Sequence, residues 1–165
     1  MRPPFDPASE RDIEVVSAQL GRPARGVIGI AGRCACGNPT VVATRPRLED
    51  GTPFPTLYYL THPAATAAIS TLEAASVMSE FALLLADEEL AASYRAAHES
   101  YLADREAVEF VAEIAGISAG GMPTRVKCLH ALAGHSLAAG PGLNPIGDLA
   151  LERAHWSAEV CRCAP

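Results

Sequence analysis

Lysine is nearly missing from this 165-residue chain: of thirteen basic residues, twelve are Arg and only Lys127 is Lys. Set against nineteen acids, they leave a formal net charge of −6. That balance excludes a general binder of phosphate backbones, so no nucleic-acid partner is expected. Aromatics are scarce as well, at 5% of residues with a single Trp. Long apolar runs are absent. The uncharged stretch 51–71 is broken by Pro53, Pro55 and Pro63 and carries polar threonines, so no membrane span is expected. The opening Met-Arg-Pro-Pro-Phe-Asp has no apolar segment of the secretory kind, and a cytoplasmic location is the expectation. Neither a Walker pattern nor a Gly-x-Gly-x-x-Gly fingerprint occurs, which removes the common nucleotide-binding signatures.

What is present is enough to fold. Apolar residues make up 49% and charged residues 19%, the reverse of a disordered composition. The length fits one domain, over residues 9–156, with an extended, Pro-rich segment at 1–8 and a tail at 157–165. Charge is unevenly spread, with a net of +3 over residues 1–47, −10 over 48–115 and +1 over 116–165. The acidic middle reads as a solvated helix face, or else as a surface that docks a basic protein partner.

Ser9 caps a helix through about Leu20, with Ile13, Val16 and Leu20 at helical spacing. Val27, Ile28 and Ile30 open a strand, residues 34–39 form a turn, and residues 40–44 return as the second arm of a hairpin. Leu57 to Leu60 give a third short strand. Beyond it the pattern is helical: from a Thr61 cap to about 76, from 78 to 86, from 87 to 112, from Pro123 to 139, and from Pro145 to 156. The expected fold class is therefore α+β, a helix-dominated single domain with a small three-stranded antiparallel sheet.

Chemistry concentrates in five cysteines and a few histidines. Cys34, Cys36, Cys128, Cys161 and Cys163 are odd in number, and in a reducing compartment structural disulfides are not expected. Two pairs share a Cys-x-Cys spacing. In the hairpin turn, Cys34 and Cys36 precede Gly37, which permits the positive φ that metal knuckles use; the bland alternative is a pair of ordinary turn cysteines. An unbroken helix over 123–139 turns Cys128 and His130 about 200° apart, so it can present only one ligand to an ion. Cys128 is the choice, with a small buried core residue as its alternative, while His135 reads as a satisfied buried histidine. The expected metal set is Cys34, Cys36, Cys128 and His62, with Cys161 or Cys163 as the alternative fourth ligand. Three Cys and one His suit zinc; four Cys suit zinc or an iron–sulfur cluster.

A second constellation is the start of the helix expected at 123. Gly121, Arg125, Lys127 and His130 combine free backbone N–H groups with cations, which points to a phosphorylated or carboxylate ligand; the alternative is a solvated turn. Asn144 before Pro145 reads as the cap of the last helix. No nucleophile–base arrangement identifies catalytic residues, so whether the protein is an enzyme stays open.

The strings Asp50-Gly-Thr-Pro-Phe-Pro-Thr-Leu-Tyr-Tyr-Leu-Thr61, Tyr94-Arg-Ala-Ala-His-Glu-Ser-Tyr101, Gly120-Gly-Met-Pro-Thr-Arg-Val-Lys-Cys-Leu-His130 and Gly142-Leu-Asn-Pro-Ile-Gly-Asp148 resemble the actinobacterial domain of unknown function 501 family. The likeness covers roughly residues 9–150. It implies an uncharacterised cytoplasmic bacterial protein with a link to cell division or phosphate metabolism, and it assigns no catalytic residue. Cys161 and Cys163 lie outside it.

Overall fold

The computed structural model describes residues 2–163. Six helices and three strands follow the order α1 (Glu10–Leu20), β1 (Val27–Arg33), β2 (Pro39–Thr44), β3 (Tyr58–Leu60), α2 (Pro63–Ala74), α3 (Val77–Leu84), α4 (Glu88–Val108), α5 (Leu129–Ala139) and α6 (Pro145–Arg153). This is a helix-dominated α+β domain.

The sheet is antiparallel throughout, in the order β1-β2-β3. β2 is central, and every one of its residues is buried. Its β-branched side chains serve both faces of the sheet, as a covered strand requires. Val42 packs with Ile30 and Val16 beneath α1, while Val41 and Ala43 join the main core with Leu60, Leu129, Leu132 and Ala133 on the α5 side. The Pro-rich N-terminal segment extends the sheet: Ile30 N–H donates to Asp6 O at 2.8 Å, and Phe5 sets its ring edge-on to Tyr58.

α1 begins with a capping box. The Ser9 hydroxyl accepts from Asp12 N–H, and the Asp12 carboxylate accepts from Ser9 N–H. Asp12 also pairs with Arg33 at 2.8 Å, and Arg33 donates to Gly37 O at 2.9 Å. The Arg33 guanidinium and the Ser9 donors together hold the Asp12 carboxyl far below the usual carboxylate range. One arginine thus fastens the first helix to the hairpin turn that carries Cys34 and Cys36.

Two close crossings position α5. Gly134 passes 3.1 Å (from where a Cβ would stand) from Tyr58 O, and Gly147 in α6 presses on the Leu132 carbonyl and the Ser136 hydroxyl. Between these contacts lies a buried polar cluster. Tyr58 donates to Asp104 at 2.8 Å, and Tyr101 Oη accepts from Leu57 N–H at 2.6 Å. His135 stacks on Tyr58 and meets Tyr101 edge-on. Asn144 caps α6 through Gly147 N–H and donates its Nδ2 to His135 Nδ1.

His135 is fully buried, and burial holds its pKa at about 4, below the ordinary 6.5. Above pH 6.5 both the folded and unfolded chains carry it neutral, so its full contribution is present. Below that the unfolded chain takes up a proton the folded one refuses, and stability falls as pH drops towards 4. Between pH 7 and pH 4.5 this linkage removes about 2.5 kcal/mol. Urea titrations of the native protein and of His135→Phe are expected to show that extra acid sensitivity only in the former; parallel pH profiles would contradict it.

Several boundaries differ from the sequence reading. The long fourth helix ends at Val108, with a short 3-10 turn at Ala112–Ile114 beyond it. The last helix ends at Arg153, and His155 turns the chain with a positive φ of 50°. The largest change is at α5, which starts at Leu129 instead of Pro123. Tertiary contacts override local propensity there: Tyr94 donates to Arg125 O at 2.9 Å, Lys127 N–H turns back to Gly120 O, and Val126 is buried in the core.

Candidate metal centre

The hairpin turn between β1 and β2 is a knuckle. Cys34 N–H donates to Asn38 O at 2.8 Å, Gly37 N–H donates to Cys34 O at 2.7 Å, and Gly37 takes a φ of 90°. That fold of the backbone turns the Cys34 and Cys36 side chains to one side. The other half of the site comes from the far end of the chain. After α6, Trp156 buries its ring against the core and packs 5.1 Å from the His62 ring. Ala158 O then accepts from Ala35 N–H at 2.8 Å, which lays the tail beside the knuckle.

The result is a group of four thiols, Cys34, Cys36, Cys161 and Cys163, whose Sγ atoms all lie within 4.8 Å of one another. Cys36 and Cys163 approach to 3.4 Å. A tetrahedral ion with metal–sulfur bonds of about 2.3 Å has sulfur–sulfur edges of about 3.8 Å, so the spacing suits one ion. All five cysteines are free thiols. Cys34 is buried, Cys163 half-buried, and Cys36 and Cys161 exposed, so the site opens at the surface.

Electrostatics separates the four thiols. The Asn38 backbone N–H and the Cys163 thiol bring Cys36 down to about 7, whereas burial pushes Cys163 up to about 12. The Cys161 thiol is raised by its Cys36 and Cys34 neighbours, although the Cys163 backbone pulls the other way. Four sulfurs this close cannot all ionise on their own; a cation in their midst removes the conflict.

His62, expected as a ligand, takes a different place. It is the N-cap of α2, where its Nδ1 accepts from Ala65 N–H at 3.5 Å. Its proton is therefore on Nε2, which donates to Cys163 Sγ at 3.3 Å. An N–H aimed at a sulfur supports its thiolate form, and such a donor stands outside the group of four sulfurs itself. Burial lowers the His62 pKa and keeps the ring neutral.

Cys128, expected as the third ligand, groups with Glu73 and His130 and not with the knuckle. It is the N-cap of α5 with extended φ and ψ of −145° and 105°, so the helical geometry that turned it away from His130 does not apply. Glu73 on α2 accepts from Leu129 N–H at 2.8 Å and lies 3.1 Å from His130 Nδ1. The Cys128 thiol and the Glu73 carboxylate raise the His130 pKa to about 9 despite its partial burial.

The expected anion cradle is dispersed by the same shift. Gly121 accepts from Arg125 N–H at 2.9 Å within a loop, and Arg125 and Lys127 point to solvent. The true helix start at Leu129 already holds the Glu73 carboxylate. Glu73 was not legible as a site residue, because nothing in the sequence connects it to a histidine 57 positions away. Among the described residues no single helix is long and apolar enough to cross a membrane.

No curated protein and no solved structure matches the chain. A family model does match, over residues 30–152, a span that takes in Cys34, Cys36, Glu73, Cys128 and His130 and leaves out Cys161 and Cys163. The chain belongs to the family described as a protein of unknown function (DUF501).

Proposed function

We propose that this protein is a zinc-stapled structural module, in which one zinc ion on Cys34, Cys36, Cys161 and Cys163 fastens the C-terminal segment to the β1–β2 knuckle. The single observation that carries the reading is the convergence of four sulfurs from the two ends of the chain within 4.8 Å. Four thiolates in a closed shell are the donor set of a structural zinc site, with no position left for substrate. An iron–sulfur cluster uses the same residues but needs room for several irons and their bridging sulfides, and sulfurs this near one another enclose a single ion.

The staple has a physical purpose. Three short strands bury little by themselves, and the tail from Ser157 onwards, with exposed Cys161 and Arg162, has few apolar contacts to hold it. Metal–thiolate bonds supply the missing free energy. Elemental analysis of protein prepared without a histidine tag tests the reading: Cys161→Ser is expected to carry about one zinc per chain less than the native protein. An unchanged zinc content would remove the staple from the account.

A further inference from the structure

We propose that Glu73, Cys128 and His130 form a second divalent-metal site, with three protein ligands and a fourth position open to solvent. This inference does not rest on the four-cysteine staple. It begins with the two ring nitrogens of His130. Nε2 lies 3.2 Å from the Thr66 carbonyl, which can only accept, and 3.1 Å from the Ser70 hydroxyl. The Nε2 position therefore carries hydrogen. Nδ1 is then the nitrogen left to face the rest of the cluster, where a metal ion would take the place of its proton.

Nδ1 faces a carboxylate and a thiol. Glu73 Oε1 is 3.1 Å away, and Cys128 Sγ lies within 4.8 Å of the Glu73 and His130 donor atoms. Three electron-rich atoms of three different chemical types thus face one point. A single proton on Nδ1 can bridge to one of them only. A divalent cation satisfies all three, and an imidazole whose distal N–H donates to a backbone carbonyl is the arrangement in which histidine ligates metal.

The supporting scaffold is built for placement. Thr66, Ser70 and Glu73 recur on one face of α2, so one helix supplies both the clamp on the ring and a ligand. Leu129 N–H fixes Glu73 Oε1 at 2.8 Å. Cys128 and His130 flank Leu129, whose side chain is fully buried and anchors the α5 start. A mixed sulfur, nitrogen and oxygen set selects a borderline ion of the zinc class over magnesium or calcium. With Glu73 and His130 each a quarter exposed, the remaining position can hold water or a small anion. Three-ligand sites with an open position are the ones that activate water, in contrast to the closed four-cysteine shell.

The test uses the full chain and zinc itself. The protein is alkylated with iodoacetamide with and without zinc, and modification at Cys128 is followed by peptide mass mapping. Zinc is expected to slow Cys128 alkylation about tenfold or more, because a metal-held thiolate is withdrawn from the reagent. Glu73→Gln and His130→Ala are expected to abolish that protection and to lower the zinc content by about one ion per chain. Should His130→Ala fail to fold, the native protein's own alkylation rates still decide. Equal Cys128 rates with and without zinc in the native protein would overturn the second site and leave Cys34, Cys36, Cys161 and Cys163 untouched. Loss of an ion in Cys161→Ser bears only on the staple.

Discussion

Stripping metal from the native protein with a chelator is expected to lower its melting temperature by about 12 °C and to open the bond after Arg162 to trypsin. The first figure follows from linkage. An ion present at a thousand times its dissociation constant stabilises the folded chain by about 4 kcal/mol, and a domain of this size gains about 3 °C per kcal/mol. The second follows from position. Arg162 stands between two of the four thiols, and a backbone held on both sides by metal–sulfur bonds cannot adopt the extended form a protease requires. Released from the ion, the tail keeps Trp156, the packing of Ala158, the Ala35–Ala158 hydrogen bond and the His62–Cys163 contact, all weaker than metal–sulfur bonds, so cleavage at Arg162 should precede global unfolding. Melting unchanged by chelator, with Arg162 cut equally in both samples, would mean that the tail is held by packing alone.

Gly147→Ala is expected to destabilise the fold by about 3 kcal/mol, or about 10 °C in melting temperature, through the α5–α6 crossing. A methyl at Gly147 would lie 2.7 Å from the Leu132 carbonyl carbon and closer still to its oxygen and to Ser136 Oγ. The Leu132 carbonyl belongs to a helix buried nearly all round, by Leu129, Ala133, Gly134, His135 and Ala138, so it cannot retreat without moving the core. α6 must instead lift away, and its cap goes with it: Asn144, still bonded to Gly147 N–H within α6, would lose its alignment with His135 on α5. Thermal melts of the two proteins measure this directly. A loss below 1 kcal/mol would show that the helices can separate at little cost, against the close-packed crossing described above.

The distribution of what could and could not be read from the sequence has physical causes. The β1–β2 hairpin was legible because β-branched strands, a cysteine pair and Gly37 are all local signals. The convergence of both Cys-x-Cys pairs was not, since it depends on the turn at His155, the burial of Trp156 and one long-range hydrogen bond to Ala35. The tail pair therefore stood only as an alternative for a single position. Cys128 was misplaced for the opposite reason. Proline at 123 is a good local signal for a helix start, yet Tyr94 and the buried Val126 pull residues 121–128 into a loop and leave Cys128 extended. His62 lies beside Cys163, but its Nδ1 is committed to capping α2, which leaves Nε2–H as a donor to the sulfur. Glu73 emerged only from the packing of α2 on α5.

Zinc K-edge absorption on protein loaded with a single equivalent of zinc tests the central claim most directly. The four-cysteine staple predicts about four sulfur neighbours at about 2.3 Å and no nitrogen or oxygen in the inner shell. A shell dominated by nitrogen and oxygen at about 2.0–2.1 Å would contradict it.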